Sequence, residues 1–561
     1  MYKIEFSYLL SKTYPLKDKL YKFKQAFTMS PFSLFFFSSV FMLLVANSVF
    51  FEKLNALYPW QSNLSFIISL TLLITCLNIL LMLTLNLVVP AKALVVGLLL
   101  IAAMVNYHAV VLGVLVDKGM IQNIVETNLD EAKDIINISL FYEIVFIAIL
   151  PASLLLSVKI KPRTRLQTLG HQVTSMVAIM IMIPILIAPF SAQYTSFFRL
   201  HKPLRYYTNP LFPVYSAFEF LASNITFAND VGFITRAKNI QKTSTTIKPK
   251  LMIMVVGEAV RADHIALNGY PRDTTPNMSR QAGLVNFGNV SACGTSTAVS
   301  VPCMFSFSGR DDFDLSQAKN TQNVLDVLAH SGVKVSWRDN NSSSKGVANR
   351  LPYQSYRSSQ SNTICDVECR DLGMLVNLQD YIDQHTQDTL IVLHQMGNHG
   401  PAYFKRYPKS FEFFTPSCQS AELSQCSQSE IINSYDNAIR YTDHFLAEII
   451  ELLQTNSAQY NTGMLYVSDH GESLGENGIY LHGLPYAFAP DSQIHVPIMS
   501  WFSAPYLDIE KTQTHKDQAY SHDAISSTLL SLFEVKANID GGSTSTLFHF
   551  KSATNRSEDE K

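Results

Sequence analysis

An excess of charge of either sign is missing from this chain: 43 lysines and arginines stand against 45 aspartates and glutamates in 561 residues. A nucleic-acid surface needs a basic stripe, so nucleic acid is excluded as a partner. Cysteine is nearly absent from the first 290 residues, where Cys76 stands alone, and the other six follow. Long apolar runs are absent from the second half; they lie before Ala192, whereas most acidic residues lie after Lys250. Residues 1–30 are polar and basic and lack the pattern of a cleavable signal peptide. Together these absences divide the chain into a membrane half and a soluble half.

Five apolar stretches, roughly 31–51, 64–88, 91–116, 138–158 and 172–192, are each about long enough to cross a bilayer as a helix. Pro90 marks a tight connection, and Pro151 and Pro184 are tolerable kinks inside spans. Lys3, Lys12, Lys17, Lys19, Lys22, Lys24, Lys92 and the run Lys159, Lys161, Arg163, Arg165 fall on one side of this arrangement. The opposite loops, 52–63 and 117–137, carry only Lys53, Lys118 and Lys133 among several acids. The positive-inside rule then predicts a cytoplasmic N-terminus, and an odd number of spans exports everything after residue 192. In a bacterium this means an inner-membrane protein with a periplasmic domain.

The expected division is a transmembrane domain over 1–200, a bridging helix and linker over 201–248, an exported domain over 249–553 and a polar tail over 554–561. In the loop 117–137, Asn123, Thr127 and Glu131 recur every four residues, so a helix would stack them on one face. That face is either a solvated interfacial surface or a patch for a polar lipid head group. Aromatic and cationic residues mix in FFRLHKPLRYYTNP (197–210), which suits a membrane interface. Residues 211–225 fit an amphipathic interfacial helix, and KTSTTIKPK (242–250) reads as a linker.

In the exported half four short apolar runs each end in polar residues. LMIMVVGE ends at Glu258, VKVSWRDNNSSSK in Asn341 and Lys345, TLIVLHQMGNHG in His394 and His399, and GMLYVSDHGE in Asp469 and His470. Such runs read as strands buried on both faces. Helical patterns around 318–331 and 429–455 separate them, predicting a doubly wound α/β domain with a mostly parallel sheet. Ligands bind outside the carboxyl ends of such strands, where all four clusters fall. The six late cysteines group as Cys293/Cys303, Cys365/Cys369 and Cys418/Cys426, and an oxidising compartment favours neighbouring disulfides over a thiolate zinc site.

Glu258, Asp469 and His470 are metal-ligand types at strand ends, and carboxylates with imidazole suit Zn²⁺. A hydroxyl bound to that metal becomes a nucleophile near neutral pH. Hydroxyls crowd the loop CGTSTAVSVPC (293–303), which reads either as a helix-capping turn or as the seat of a nucleophile. Composition does not choose among Thr295, Ser296, Thr297 and Ser300. His399 and His482, each flanked by glycine, are placed to donate hydrogen bonds to phosphoryl oxygens.

The stretches VVGEAVRADH (255–264), CGTSTAVSVPCMFS (293–306), WRDNNSSSKGV (337–347), HQMGNHGPAYFKRYP (394–408), LYVSDHGESLGENGIYLHG (465–483) and MIQNIVET (120–127) carry a resemblance. The chain resembles the membrane-bound lipid A phosphoethanolamine transferases, including the mobile colistin-resistance enzymes. The resemblance implies five transmembrane helices followed by an α/β/α alkaline-phosphatase/sulfatase-like domain. It implies zinc ligands at Glu258, Thr297, Asp469 and His470, with Thr297 as the phosphoethanolamine carrier. It further implies substrate-binding roles for Asn341, Lys345, His394, His399 and His482, and for Asn123, Thr127 and Glu131 on the membrane side. The implied reaction takes phosphoethanolamine from phosphatidylethanolamine to a phosphate of lipid A and gives resistance to polymyxins; a monomer is expected. A sulfatase would need a formylglycine signature, and Thr297-Ala-Val-Ser-Val lacks its proline and arginine. A glycerol-phosphate transferase, or a transferase acting on another glycan, is the alternative enzyme. A membrane sensor with a degenerate exported domain is the non-enzymatic one.

Overall fold

The structure, a computed structural model, describes residues 28–127, 132–133, 135–162, 164–228, 232–243, 248–503, 507–541 and 544–551. Glu131 and the expected tail 554–561 lie outside them. The chain forms two compact units: Met1–Asp117 with Ile136–Phe218, and Lys118–Ile135 with Glu219–Lys561. The polar loop between the third and fourth expected spans thus groups with the second unit, not with the membrane half.

Among the described residues of the first unit, four helices are long and apolar enough to cross a membrane: Trp60–Leu85, Ala91–Leu112, Ile138–Ser157 and Arg165–Leu200. The expected first span is a helix pair, Pro31–Val45 and Ser48–Leu57, bent by 66°, and counting it as one span gives five. Two buried asparagines hold the break. Asn209 Nδ2 donates to the carbonyls of Ala46 at 3.0 Å and Ala102 at 2.8 Å. Asn47 Nδ2 donates to Asn209 O, and Asn209 N to Asn47 Oδ1, both at 2.8 Å. Backbone groups freed in an apolar surrounding need such partners, and side-chain amides supply them here.

The second unit begins with helix α1 (Lys118–Glu126) and is otherwise built on an eight-stranded sheet. Its strands are β1 (Lys250–Gly257), β2 (Val285–Ser291), β3 (Lys334–Asp339), β4 (Tyr353–Ser355), β5 (Thr389–His394), β6 (Asn461–Ser468), β7 (His495–Phe502) and β8 (Tyr520–Ser521). They run in the order β8-β2-β7-β6-β1-β5-β3-β4. Only β7 is antiparallel to its neighbours. The four strands expected from sequence are the adjacent central four. Alternation along β1 feeds two cores, one on each face of the sheet. Met252, Met254 and Val256 join one with α2 (Thr297–Met304), α3 (Val324–His330) and α5 (Ala524–Leu532). Leu251, Ile253 and Val255 join the other with α4 (Gln428–Thr455). A capping box at Ser427 and Glu430 fixes the start of α4.

Helix Leu211–Ala228 occupies the expected interfacial stretch. The expected bridge is shorter than 201–248, because Ala237–Lys242 is already a strand paired with Val535–Ile539. The cysteines join as Cys293–Cys303, Cys365–Cys369 and Cys418–Cys426.

Candidate active site

Two strand ends and one helix start meet at the carboxyl edge of the sheet. β1 delivers Glu258 and β6 delivers Asp469 and His470, all fully buried. Thr297 is the first residue of α2, and Ser296 before it takes the N-cap position without a side-chain capping bond. Thr297 Oγ1 donates to Glu258 Oε2 at 2.9 Å and lies 3.3 Å from His470 Nε2. The neighbouring hydroxyls are spent elsewhere: Thr295 donates to Leu484 O at 2.6 Å, and Ser300 to Asp469 O. Among the four hydroxyls that composition left open, Thr297 alone bonds to the carboxylate cluster.

The cluster has the donor set and the charge deficit of a cation site. Glu258 Oε1 and Asp469 Oδ2 are buried and accept no hydrogen bond among the described residues. They lie 3.3 and 3.4 Å from His470 Nε2. His470 Nδ1 faces Gly471 O at 2.8 Å; a carbonyl only accepts, so Nδ1 carries a proton, and Nε2 is the nitrogen turned toward the carboxylates. Ligand atoms of Glu258, Asp469 and His470 all lie within 4.8 Å of one another, a set that could hold a metal ion. Burial opposes charge first on all three. Against it, Asp469 and Glu258 lift His470 to about 10, and His470 draws Glu258 well below the carboxylate range. Burial and then the charge of Glu258 push Asp469 up to about 6. Two buried carboxylates thus compete for one positive charge, which a divalent cation supplies better than a proton.

Around this centre Asn341 Nδ2 donates to Glu258 Oε2 and to Gln395 O, each at 2.8 Å, tying the loop after β3 to the cluster. His394, at the end of β5, holds Asp339 through Nδ1 at 3.0 Å. His482 Nδ1 bonds Glu472 Oε2 at 2.8 Å, and Tyr403 donates to the other oxygen of Glu472 at 2.7 Å. The His482 ring stands 4.3 Å from that of His470 and 5.7 Å from that of His399, centroid to centroid.

The family model described as "Phosphoethanolamine transferase EptA/EptB" matches residues 73–225, and the "Sulfatase" model matches 250–535. The chain is 44% identical to the phosphatidylethanolamine transferase Mcr-2 of Escherichia coli, over 91% of this chain and 96% of that one. The chain belongs to the phosphoethanolamine transferase family. It is 36% identical to the phosphoethanolamine transferase EptA of Escherichia coli K12, over 78% of this chain and 82% of the relative. The integral-membrane lipooligosaccharide phosphoethanolamine transferase A of Neisseria meningitidis superposes with a TM-score of 0.84 at 30% identity, covering 92% of this chain and 97% of that one. The expected fold, apolar N-terminal helices followed by a sulfatase-like α/β domain, is the one present.

The transferase brings Glu258, Thr297, Asp469 and His470 together, with Asn341, His399 and His482 beside them. Lys345 is buried in the same loop as Asn341, with φ at +50°. His394 faces Asp339 and Trp337, within range of the charges of Glu258 and Asp469. In α1, Asn123 lies beside the His482–Gly483 turn, since a Cβ on Gly483 would come 3.7 Å from its Nδ2. Thr127 donates to Asn123 O at 2.6 Å. Two buried residues of this transferase escaped the sequence reading. Glu472 stands in the DHGE stretch, the signal that could have found it. His522 carries no motif, yet it accepts from Cys293 N at 3.1 Å and bonds Ser468 O at 3.0 Å, joining the loop before α2 to β6.

Proposed function

We propose that this enzyme moves phosphoethanolamine from phosphatidylethanolamine to a phosphate of lipid A through a phosphothreonine at Thr297. The observation that carries the reading is the Thr297 hydroxyl, buried at a helix start and bonded at 2.9 Å to a carboxylate of a three-residue metal-type cluster. Glu258, Asp469, His470 and Thr297 would hold zinc, which would supply Lewis acidity that favours ionisation of the threonine hydroxyl near neutral pH.

In the first step Thr297 Oγ1 loses its proton to water and forms a bond to the phosphorus of phosphatidylethanolamine, and the bond from phosphorus to the glycerol oxygen breaks. Diacylglycerol leaves as the alcohol, taking a proton from a histidine or a water. Lys345, His399 and His482 offset charge on the equatorial oxygens. In the second step a phosphate oxygen of lipid A attacks the same phosphorus, and Thr297 is released and reprotonated. The N-terminus of α2 favours the anionic group on Thr297 throughout.

The reading places the protein in a bacterial inner membrane, crossing it five times, with the catalytic unit in the periplasm. The basic residues on one side of the spans and the three disulfides of the second unit support that orientation. An ammonium added to lipid A lowers surface negative charge, and resistance to polymyxins follows from weaker attraction of cationic peptides. Mass spectrometry of lipid A from cells with and without the protein tests this. One phosphoethanolamine gained per modified phosphate is expected; unchanged lipid A, or a glycerol phosphate in its place, would overturn it.

A further inference from the structure

Helix α1 touches three segments that build the site. It packs against α2, which starts at Thr297. Met120 and Asn123 fill the space beside Gly483, where a Cβ would come 2.8 Å from Met120 Cε. At the last turn Glu126 Oε1 accepts from Lys319 Nζ at 3.0 Å and from Gln122 Nε2 at 3.2 Å. The other oxygen, Oε2, lies 3.7 Å from Lys345 Nζ and accepts no hydrogen bond among the described residues.

The two ion pairs differ in their surroundings. The Lys319 side chain is 54% exposed and that of Lys345 only 6%, so water screens the first far more than the second. The backbone also prepares the second pair. Lys345 and Gly346 both have positive φ, and Lys319 lies across Gly346 so closely that a Cβ there would meet its Cγ at 2.6 Å. The loop is in turn fastened to Glu258 through Asn341. A lysine ammonium on a flexible stem has no preferred place by itself. Glu126 supplies one, at a distance short of a hydrogen bond.

We infer that Glu126 is a positioning residue for Lys345: its carboxylate holds the ammonium at the site before the donor arrives and yields it to the phosphoryl group. The inference rests on the proposed transfer. In the lipid-bound state Lys345 exchanges one anionic partner for another, so the pair costs little binding and gains orientation.

The test is a double-mutant cycle on the full-length enzyme in micelles containing phosphatidylethanolamine and lipid A. Glu126→Gln is expected to lower kcat about tenfold without raising KM, since a coupled charge pair is removed. Glu126→Asp, which keeps the charge, is expected to stay within about threefold, and Lys319→Ala within about twofold. In a Lys345→Ala background Glu126→Gln is expected to add less than about twofold. The same factor in both backgrounds would overturn the inference, as would wild-type kcat in Glu126→Gln or an equal loss in Lys319→Ala. A wild type that transfers nothing would instead sink the proposed function.

Discussion

Thr297 is distinguished from the hydroxyls around it by what its oxygen touches. Thr297→Ala is expected to reduce transfer to background while leaving the melting temperature within a few degrees, because the side chain is small and lies at a helix start. Thr297→Ser keeps the hydroxyl but frees its rotamer, so a rate about tenfold lower is expected. Full activity in Thr297→Ala, read as product per minute, would remove it from the reaction. Asn341 holds Glu258 from behind, and losing such a partner weakens metal binding about ten- to a hundredfold. Zinc titration of Asn341→Ala checks this, and an unchanged affinity would contradict it. Chelation should abolish transfer and lower the melting temperature, since it leaves Glu258 and Asp469 buried with only a proton between them; added zinc should restore both. His522 gives a separate pH signature. Burial pushes it down to about 3 from an ordinary 6.5, so between those values the unfolded chain binds a proton that the folded one refuses. Its contribution therefore lowers stability as pH falls below about 6.5. Melting temperatures of wild type should fall more steeply between pH 6.5 and 4.5 than those of His522→Gln; equal slopes would contradict the assignment.

Among the elements, α2 and the loop before it decide where the Thr297 hydroxyl, the proposed nucleophile, stands. The Cys293–Cys303 link closes a loop of 10 residues around Thr297, and a loop of that length is worth about 3 kcal/mol by chain entropy. Replacing both cysteines with serine is expected to cost stability of that order and to lower kcat more than it raises KM, as the hydroxyl loses its fixed distance to Glu258. Steady-state kinetics beside a thermal melt checks both. The central strands β1, β3, β5 and β6 were legible because each is a continuous apolar run that ends in polar residues. The flanking strands were not. β2 alternates polar with apolar residues and carries Gly288, and β7 is antiparallel and contains Pro497, so neither resembles a strand buried on both faces. The bend at Ala46–Asn47 was hidden for a different reason: its partner is Asn209, 162 residues away. The same separation in sequence hid Glu126, which meets Lys319 across 193 residues, and His522, which reaches Cys293 across 229. Candidate ligands at strand ends announce themselves through the strand; residues that hold those side chains do so only in three dimensions.

For the whole molecule, the chain combines helices fit for a membrane with an α/β unit whose sheet edge carries buried acid, imidazole and hydroxyl groups. The polar loop bearing Asn123 and Glu126 lies between two spans in sequence but folds with the catalytic unit. Residues between two spans thus lie beside Gly483 and Lys345, as the proposed transfer from a phospholipid donor would use them. The central claim is that the group rests on Thr297 between donor and acceptor. Peptide mass spectrometry of the full-length, zinc-loaded enzyme, incubated with phosphatidylethanolamine and no lipid A, tests it most directly. Phosphoethanolamine on the peptide containing Thr297, discharged when lipid A is added, is the predicted result. Transfer that proceeds with Thr297 unmodified, or with the group on another residue, would contradict it.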